Sequence, residues 1–189
     1  MHAPTRSFTF WTTTHLRTPT GGPSLVSYGG TLSNGYHFGV NEGLSLSGTG
    51  AFDVYSIDIH FYFDNVSASF NGYQRILDFQ NRTSDSGLYS LNGTLVLFAS
   101  EPGDPSAGDE TRFFFTNGTM ADLLVTRDAS GLFSAYVNGN LAFSVMDTDG
   151  STRFSGPGNI MYFFMDDFVS LTNYPNLPEA CTGFVDRIR

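Results

Sequence analysis

Carboxylates are the side chains of this sequence with the greatest capacity for chemistry. A retaining glycosidase needs two of them about 5 Å apart, and alternate residues of one strand, whose side chains share a face, can supply them. None of the glutamates has a second acid two residues away on a predicted strand; they are Glu42, Glu101, Glu110 and Glu179. Asp58 and His60 form the nearest candidate pair, and a solvated strand face is the simpler interpretation. We therefore expect a protein that is not an enzyme.

Histidine and cysteine, the usual metal ligands and nucleophiles, show no constellation of their own. The histidines are scattered, and no His-x-x-x-His or Cys-x-x-Cys spacing typical of a metal site occurs. The only cysteine, Cys181, cannot form an intramolecular disulfide. We expect it to be a small buried apolar side chain, with a disulfide between chains as the alternative.

The charge balance excludes whole classes of partner. The 189 residues include 18 acids and 9 bases, every base is an arginine, and the formal net charge is −9. A chain this acidic and without lysine is repelled by phosphate backbones and by anionic membranes. It also lacks a run of about 18 apolar residues that could cross a membrane. We predict neither a nucleic-acid partner nor membrane insertion.

Four Asn-x-Ser/Thr sequons are present, and these would be glycan acceptors in a secreted protein. Their number is only slightly above what the asparagine, serine and threonine content produces by chance. The sequence is therefore compatible with a glycoprotein whose acceptors are Asn65, Asn81, Asn92 and Asn117.

The elements that must position these side chains are β-strands. Over residues 54–63, apolar side chains occupy every second position from Tyr55 to Phe63, and mostly polar ones lie between them. This period of two is typical of a strand in an antiparallel sheet with one buried face.

Further strands follow at short intervals with turn residues between them. Asn138 and Gly139 favour the positive φ angles of a tight hairpin turn, whereas residues 101–110, rich in Pro, Gly and acids, predict an exposed loop. No segment has the apolar spacing of a helix, so an all-β sandwich or barrel is expected. The other predicted strands are 7–11, 24–28, 36–40, 75–80, 87–91, 94–99, 112–116, 123–127, 132–137, 141–146, 160–165 and 183–189.

The chain length fits one domain. We predict a single domain over residues 1–189, in which residues 1–20 contain an opening strand or serve as an N-terminal arm. The first residues lack the apolar core of a signal peptide.

From about Ala51 onward the chain resembles the laminin-G-like, concanavalin-A-like jelly-roll domains of bacterial extracellular proteins. The segment 125–139 is the most specific part of the resemblance, and 55–63, 75–79, 87–93, 163–167 and 183–189 follow the same order. The resemblance implies a two-sheet antiparallel β-sandwich at an extracellular or cell-surface location. It implies no single activity, because one fold hosts many functions.

Aromatic side chains are the remaining candidates for ligand contact, because sugars stack on exposed Trp and Tyr rings. The chain has one Trp and nine Tyr, while most of its 19 Phe fall at positions expected to face the core. The predicted ligand-binding residues, at strand ends or on polar strand faces, are Trp11, Tyr73, Tyr136 and Tyr174.

A calcium ion at the rim of the sandwich is also implied by the resemblance. Asp166 and Asp167 leave a predicted strand, and the following loop ends at Glu179, so these residues could supply the hard oxygen ligands that Ca²⁺ requires. The alternative is that the two aspartates form a solvated turn and bond their own backbone.

Together these observations predict a non-catalytic extracellular binding or adhesion module directed at glycans or matrix polymers. The alternative is a structural subunit of an extracellular filament or surface layer, whose partners are copies of itself.

Overall fold

The computed structural model describes residues 24–28, 31–32, 35–48, 53–98, 107–154, 159–168 and 179–189. These residues form two seven-stranded sheets in which every strand pair is antiparallel. The predicted all-β, two-sheet sandwich is therefore confirmed. Within the described residues no helix is both long and apolar enough to span a bilayer.

The first sheet has the strand order β1-β4-β13-β6-β7-β8-β9. Its strands are β1 (Ser24–Tyr28), β4 (Gly43–Ser47), β6 (Tyr73–Asp78), β7 (Gly87–Leu91), β8 (Thr94–Phe98), β9 (Ala107–Phe113) and β13 (Met161–Phe163).

The second sheet has the strand order β12-β11-β10-β5-β14-β3-β2. Its strands are β2 (Thr31–Leu32), β3 (Tyr36–Phe38), β5 (Tyr55–Phe63), β10 (Ala121–Arg127), β11 (Leu132–Val137), β12 (Asn140–Met146) and β14 (Gly183–Ile188).

Strand β5 lies in the middle of the second sheet, as its alternating pattern predicts. Its buried positions alternate with half-buried or exposed ones along the whole strand. The strand pairs with β10 on one side and β14 on the other. Burial of one face and hydrogen bonding at both edges explain why this segment has the clearest signal in the sequence.

The hairpin of β11 and β12 turns at Asn138 and Gly139, whose φ angles are 50° and 77°. Positive φ at both central residues defines the primed turn that matches the twist of antiparallel strands. The hairpin prediction is confirmed.

Aromatic rings fill the space between the sheets. Phe164, just after β13, stacks on Phe38 of the second sheet with ring centroids 4.3 Å apart. It also contacts Phe61 at 5.3 Å and Phe63 at 6.1 Å. These side chains are almost fully buried, so most of the phenylalanine described here packs the core, as expected.

The structure corrects several element boundaries. The loop predicted over 101–110 is wrong at its C-terminal end, because β9 begins at Ala107 and pairs with β8. The strand predicted at 112–116 ends at Phe113. Strands β2 and β4 were not predicted, because they are short or rich in Gly and Ser and show weak alternation. The predicted strand 7–11 and the N-terminal arm 1–20 lie outside the described residues.

Candidate functional site

A small pocket opens on the face of the first sheet that is turned away from the core. Three aromatic side chains line it, one from each of three adjacent strands: Tyr73 on β6, Tyr89 on β7 and Phe98 on β8. Their ring centroids lie 5.7, 6.1 and 6.3 Å apart. Asp85 and Glu179 complete the lining of the pocket, whose volume is about 70 Å³.

Strand register explains why these rings meet. Side chains on one face of a strand recur at every second residue, so Tyr73 and Arg75 share a face of β6. Arg75 on β6 lies opposite Tyr89 on β7, and Tyr89 lies opposite Val96 on β8. The core instead takes Leu88, Leu95 and Leu97 from the opposite face.

Arg75 is buried beside the pocket and organises its acidic neighbours. One terminal nitrogen of its guanidinium donates to Asp78 at 2.5 Å, and the other donates to Asp167 at 2.9 Å and Asp85 at 3.4 Å. The guanidinium also lies 4.9 Å from the ring centroid of Tyr89. Arg75 thus links the wall of the pocket to two buried aspartates.

Asp166 bonds the backbone at Glu179. Its carboxylate accepts hydrogen bonds from the backbone N–H groups of Asp167 and Glu179, at 2.9 and 3.0 Å. The Nε of Arg82 donates to the backbone oxygen of Asp166 at 2.5 Å, and its backbone N–H donates to Asp78. These bonds fix the position from which the Glu179 side chain enters the pocket.

We call Asp78, Asp85, Asp166, Asp167 and Glu179, together with Arg75 and Arg82, the acidic cluster. It contains five carboxyl groups and two guanidinium groups, so acids exceed bases by three. Charges held out of water are costly unless matched by opposite charges. The cluster therefore favours protonation of some of its carboxyl groups.

The carboxyl groups at the pocket already respond to this excess. Burial, a hydrogen bond with Asp167 and the charges of neighbouring acids raise the pKa of Asp85 to about 6. Burial and the charges of Asp85 and Asp166 raise the pKa of Glu179 to about 7. Burial also raises the pKa of Asp78 and of Asp166, against the opposing charge of Arg75.

One donor in the acidic cluster remains unsatisfied. The Nε of Arg75, on a side chain with no exposed surface, has no acceptor within the described part of the chain. A buried donor without an acceptor costs about 1–3 kcal/mol, so an oxygen atom from a water or ligand would be favourable there.

Only some of the predicted ligand-binding and metal-binding residues lie in this pocket. Tyr73 and Glu179 both line the pocket, although they were predicted for different ligands. Tyr136 lies on β11 of the other sheet and its side chain is half-buried, so the structure does not bring it near Tyr73. Trp11 and Tyr174 lie outside the described residues.

Six residues of the pocket and the acidic cluster were missed by the sequence analysis: Arg75, Asp78, Arg82, Asp85, Tyr89 and Phe98. The available signal was a pair of opposite charges, Arg75 and Asp78, on either side of Ile76 and Leu77 in a predicted strand. Charges in such a segment are rarely buried unless they are paired.

Asp58 and His60 do not act on each other. Asp58 accepts hydrogen bonds from Arg187, at 3.1 Å from Nε, whereas the Nδ1 of His60 lies 2.7 Å from a carboxylate oxygen of Asp186. Arg187 also bonds Asp122. These contacts join β5, β10 and β14 on the outer face of the second sheet. They agree with the interpretation of Asp58 and His60 as part of a solvated strand face.

Calcium binding at Asp166, Asp167 and Glu179 stays a prediction. Arg75 binds Asp167, and the carboxylate of Asp166 accepts backbone N–H groups, so these oxygens do not converge on one point as a calcium shell requires. Within the described ranges, no group of three or more His, Cys, Asp or Glu side chains is arranged to hold a metal ion. A rise in melting temperature on adding Ca²⁺, reversed by chelator, would support the prediction.

The sequon asparagines differ in exposure. Asn65, Asn92 and Asn117 are exposed, and Asn81 is half-buried with a side-chain oxygen that is enclosed. Use of these sites as glycan acceptors stays a prediction. Cys181 is a free, buried thiol, and burial raises its pKa, so its environment is that of a small apolar side chain.

Comparison with known proteins identifies the fold. No family model matches the sequence, and no curated protein matches it. Among solved structures, a receptor-binding domain is similar at a TM-score of 0.66 and 12% identity, over 96% of this chain and 46% of that one.

Two further similar structures are described by reference to botulinum neurotoxins. One, described by the dependence of botulinum neurotoxin type C cell entry on two ganglioside molecules, has a TM-score of 0.60 and 12% identity, over 88% of this chain and 42% of that one. The binding domain of botulinum neurotoxin DC, solved with rat synaptotagmin II, has a TM-score of 0.60 and 11% identity, with the same coverage.

These similarities define a class of fold: an open, two-sheet antiparallel sandwich of the jelly-roll kind. The chain spans less than half the length of the similar structures, and the identity is low, so the comparison concerns the fold alone. The narrower resemblance to laminin-G-like domains stays a prediction.

Proposed function

We propose that this protein is a non-catalytic, extracellular binding module for glycans of a matrix or cell surface. The observation that carries the proposal is the pocket of the first sheet, where three aromatic rings meet two carboxyl groups. Sugars present apolar C–H faces and hydroxyl groups, and such sites combine rings with a few polar groups.

The known structures with this fold support the proposal at a coarse level. One is described as a receptor-binding domain and one as a binding domain in complex with rat synaptotagmin II, and the description of a third names two ganglioside molecules. Structures with this fold therefore include binding domains.

The size of the pocket argues against glycoside hydrolysis. A glycosidase must hold the scissile bond between its two carboxyl groups. A pocket of about 70 Å³ is too small to enclose the bond between two sugar rings. Asp85 is also engaged with Arg75 and Asp167, so it is poorly placed to act as a nucleophile.

A glycan array with matched variants tests the proposal. Phe98 and Leu132 are both 37% exposed, but Phe98 lines the pocket and Leu132 lies on the second sheet. We expect Phe98→Ala to lose binding by about tenfold, the effect of losing one stacking contact and its buried area, and Leu132→Ala to retain it. A folded protein that binds no glycan would overturn the proposal, and release of sugar from a bound glycan would overturn its non-catalytic part.

Assembly into a filament or surface layer is a second candidate function, favoured by the edge strand β12. Among the described strands it pairs with β11 alone, and its Leu141 and Met146 are 49% and 47% exposed. An exposed edge can add a strand from another copy of the chain. Growth in mass with concentration, measured by light scattering and suppressed by Leu141→Asp, would support assembly, and a monomer at every concentration would contradict it.

A further inference from the structure

We infer that the outward edge of β12 is a pairing surface for the same strand of a second copy of this chain, and that Arg112 keeps this edge closed. The edge is the one that the second candidate function uses, but the inference does not require assembly into a filament or surface layer. The evidence is the composition of β12, its register with β11 and one contact between the two sheets.

Four of the described strands lie at sheet edges, and β12 differs from the other three. Strand β9 carries two acids and one base, β1 has five residues and β2 has two. Strand β12 has seven residues, with no charged side chain and no proline. Charges, proline and short length are common features that prevent an edge strand from pairing with another chain. The composition of β12 therefore leaves its edge open to pairing.

The sequence of β12 suits pairing with a copy of itself. In an antiparallel pair of identical strands related by a two-fold axis, each residue lies opposite a residue of the same strand. Because β12 contains no charge, no register of this pair places like charges opposite each other. The whole chain has a formal charge of −9, so an uncharged strand is a place where two copies approach with little repulsion.

Exposed apolar side chains on β12 also favour such pairing. Leu141 is 49% exposed and Met146 is 47% exposed, and Leu132, which lies opposite Met146 on β11, is 37% exposed. Side chains on the same face of two paired strands contact each other. A second copy of β12 would therefore remove part of this apolar surface from water.

The two ends of β12 differ in their register with β11. Residues 143–146 lie opposite residues 132–135 without interruption, whereas Leu141 lies opposite Tyr136, so that Ala142 is an extra residue. Such a bulge disrupts the ladder locally and bends the strand. Only the four residues after the bulge continue the ladder regularly. Stable pairing with a second copy therefore needs the first part of the strand as well.

Arg112 occupies the edge at this first part of β12. It lies on β9, the edge strand of the first sheet, which contacts β12. Its Nη1 donates to the backbone oxygen of Leu141 at 3.3 Å, and its guanidinium lies 4.8 Å from the ring centroid of Phe114. This contact takes up a backbone oxygen of the edge strand and places a positive charge beside it. A second β12 can pair along the whole strand only after Arg112 moves away.

Removal of the Arg112 charge tests the inference, because net charge alone predicts the opposite result. Arg112→Gln changes the formal charge from −9 to −10, which increases the repulsion between copies. We expect the variant nevertheless to self-associate at least about tenfold more tightly than the parent, since two arginine contacts, one in each copy, no longer have to break. Sedimentation equilibrium at about 0.15 M salt measures both association constants.

Two controls separate the edge from general effects of charge. Arg189→Gln also removes one exposed base, and Arg189 follows β14, which three strands separate from β12. We expect it to associate no more tightly than the parent. Arg112→Gln combined with Ser144→Lys restores the formal charge of −9 and places a charge at an exposed position of β12. Because a lysine on an edge strand opposes pairing, we expect this double variant to behave as the parent does.

Hydrogen exchange locates the pairing surface. In associated Arg112→Gln, we expect slower exchange of backbone N–H groups within residues 140–146 than in the parent, because new ladder bonds protect them. Thermal melts check that every variant folds, and Arg112→Ala provides a second variant at the same position.

The outcomes distinguish this inference from the second candidate function. Pairing about a two-fold axis closes at two chains, so growth of Arg112→Gln beyond a dimer would overturn the inference. Equal association of parent and Arg112→Gln, equally tight association of Arg189→Gln, or association that Ser144→Lys does not reverse would also overturn it. A monomeric parent with a dimeric Arg112→Gln would support the inference and contradict assembly of the parent into a filament.

Discussion

A single buried arginine determines the arrangement of charge at the candidate site. Arg75 contacts Asp78, Asp85 and Asp167, and its side chain has no exposed surface. A buried ion pair adds little stability relative to an apolar replacement of the whole group, but removal of one partner leaves the others uncompensated. Arg75 therefore holds in place several acids that would otherwise repel one another.

Replacement of Arg75 should be among the most destabilising single changes. We expect Arg75→Leu to lower the free energy of unfolding by about 3–5 kcal/mol, because buried aspartates lose their counter-charge. The control is Arg153→Leu, which breaks an exposed pair with Asp53 and should cost less than about 1 kcal/mol. Urea unfolding of both variants measures the difference, and equal costs would show that the buried contacts of Arg75 are not needed for stability.

The carboxyl groups of the pocket predict how stability depends on pH. The pKa values of about 6 for Asp85 and about 7 for Glu179 lie above the ordinary values of about 4. The folded protein thus binds these protons more tightly than the unfolded chain. Their contribution to stability is fully present below about pH 4 and is lost as pH rises through about 6 to 7.

We therefore expect the melting temperature to fall between about pH 5 and about pH 8, and to fall less in Glu179→Gln, whose amide does not ionise. Asp122→Asn serves as the control and should keep the slope of the parent protein. Melting curves across this range check the prediction. Parallel slopes in all three proteins would mean that Glu179 does not hold its proton in the folded state.

At the scale of elements, the tight pairing of β5, β14 and β3 constrains the second sheet. Gly183 begins β14 and pairs with Phe63 on one side and Phe38 on the other. A Cβ atom there would meet the backbone oxygen of Tyr62 and lie 2.6 Å from the ring of Phe38. The position requires glycine because of crowding, whereas the turn glycines are required for their positive φ.

A comparison of two alanine substitutions tests this distinction. Gly183→Ala should cost about 2–3 kcal/mol, because the sheet must shift to accommodate the methyl group. Gly118 has a φ of 62° and open space around its Cα. Gly118→Ala should cost about 1 kcal/mol, from backbone strain alone. Urea unfolding measures both, and a smaller loss for Gly183→Ala would indicate that β14 moves without resistance.

At the scale of the whole molecule, net charge limits the partners. The chain has a formal charge of −9 and no lysine, and several of its nine arginines bind acids within the fold. These pairs reduce the number of cationic groups that the described part of the chain can offer to a polyanion.

We expect no retention on heparin or on DNA at about 0.15 M salt, even if the protein binds uncharged glycans. A lysine-rich protein passed over the same columns provides the positive control. Retention of this chain would reveal a basic surface and would restore sulfated glycans and nucleic acids as ligands.

Much of the fold was predictable because its signals are local. Period-two alternation marked β5, and Asn138 and Gly139 marked the hairpin of β11 and β12, since both features depend on residues close together in the chain. Strand β4 was missed because its signal is not local. It is held in the sheet by β1 and β13 on either side, whereas its own pattern of Gly and Ser shows no clear alternation.

The sequence by itself determined most of the strands, the all-β class and the acidic charge, because alternation and turn chemistry depend on neighbouring residues and the charge depends on composition alone. Only the tertiary structure decided that Arg75 and Asp167, 92 residues apart, bind each other, and that Glu179 joins Tyr73 in one pocket. Strand order and register bring such residues together across the sheet, and neither is encoded in the spacing of the side chains that meet.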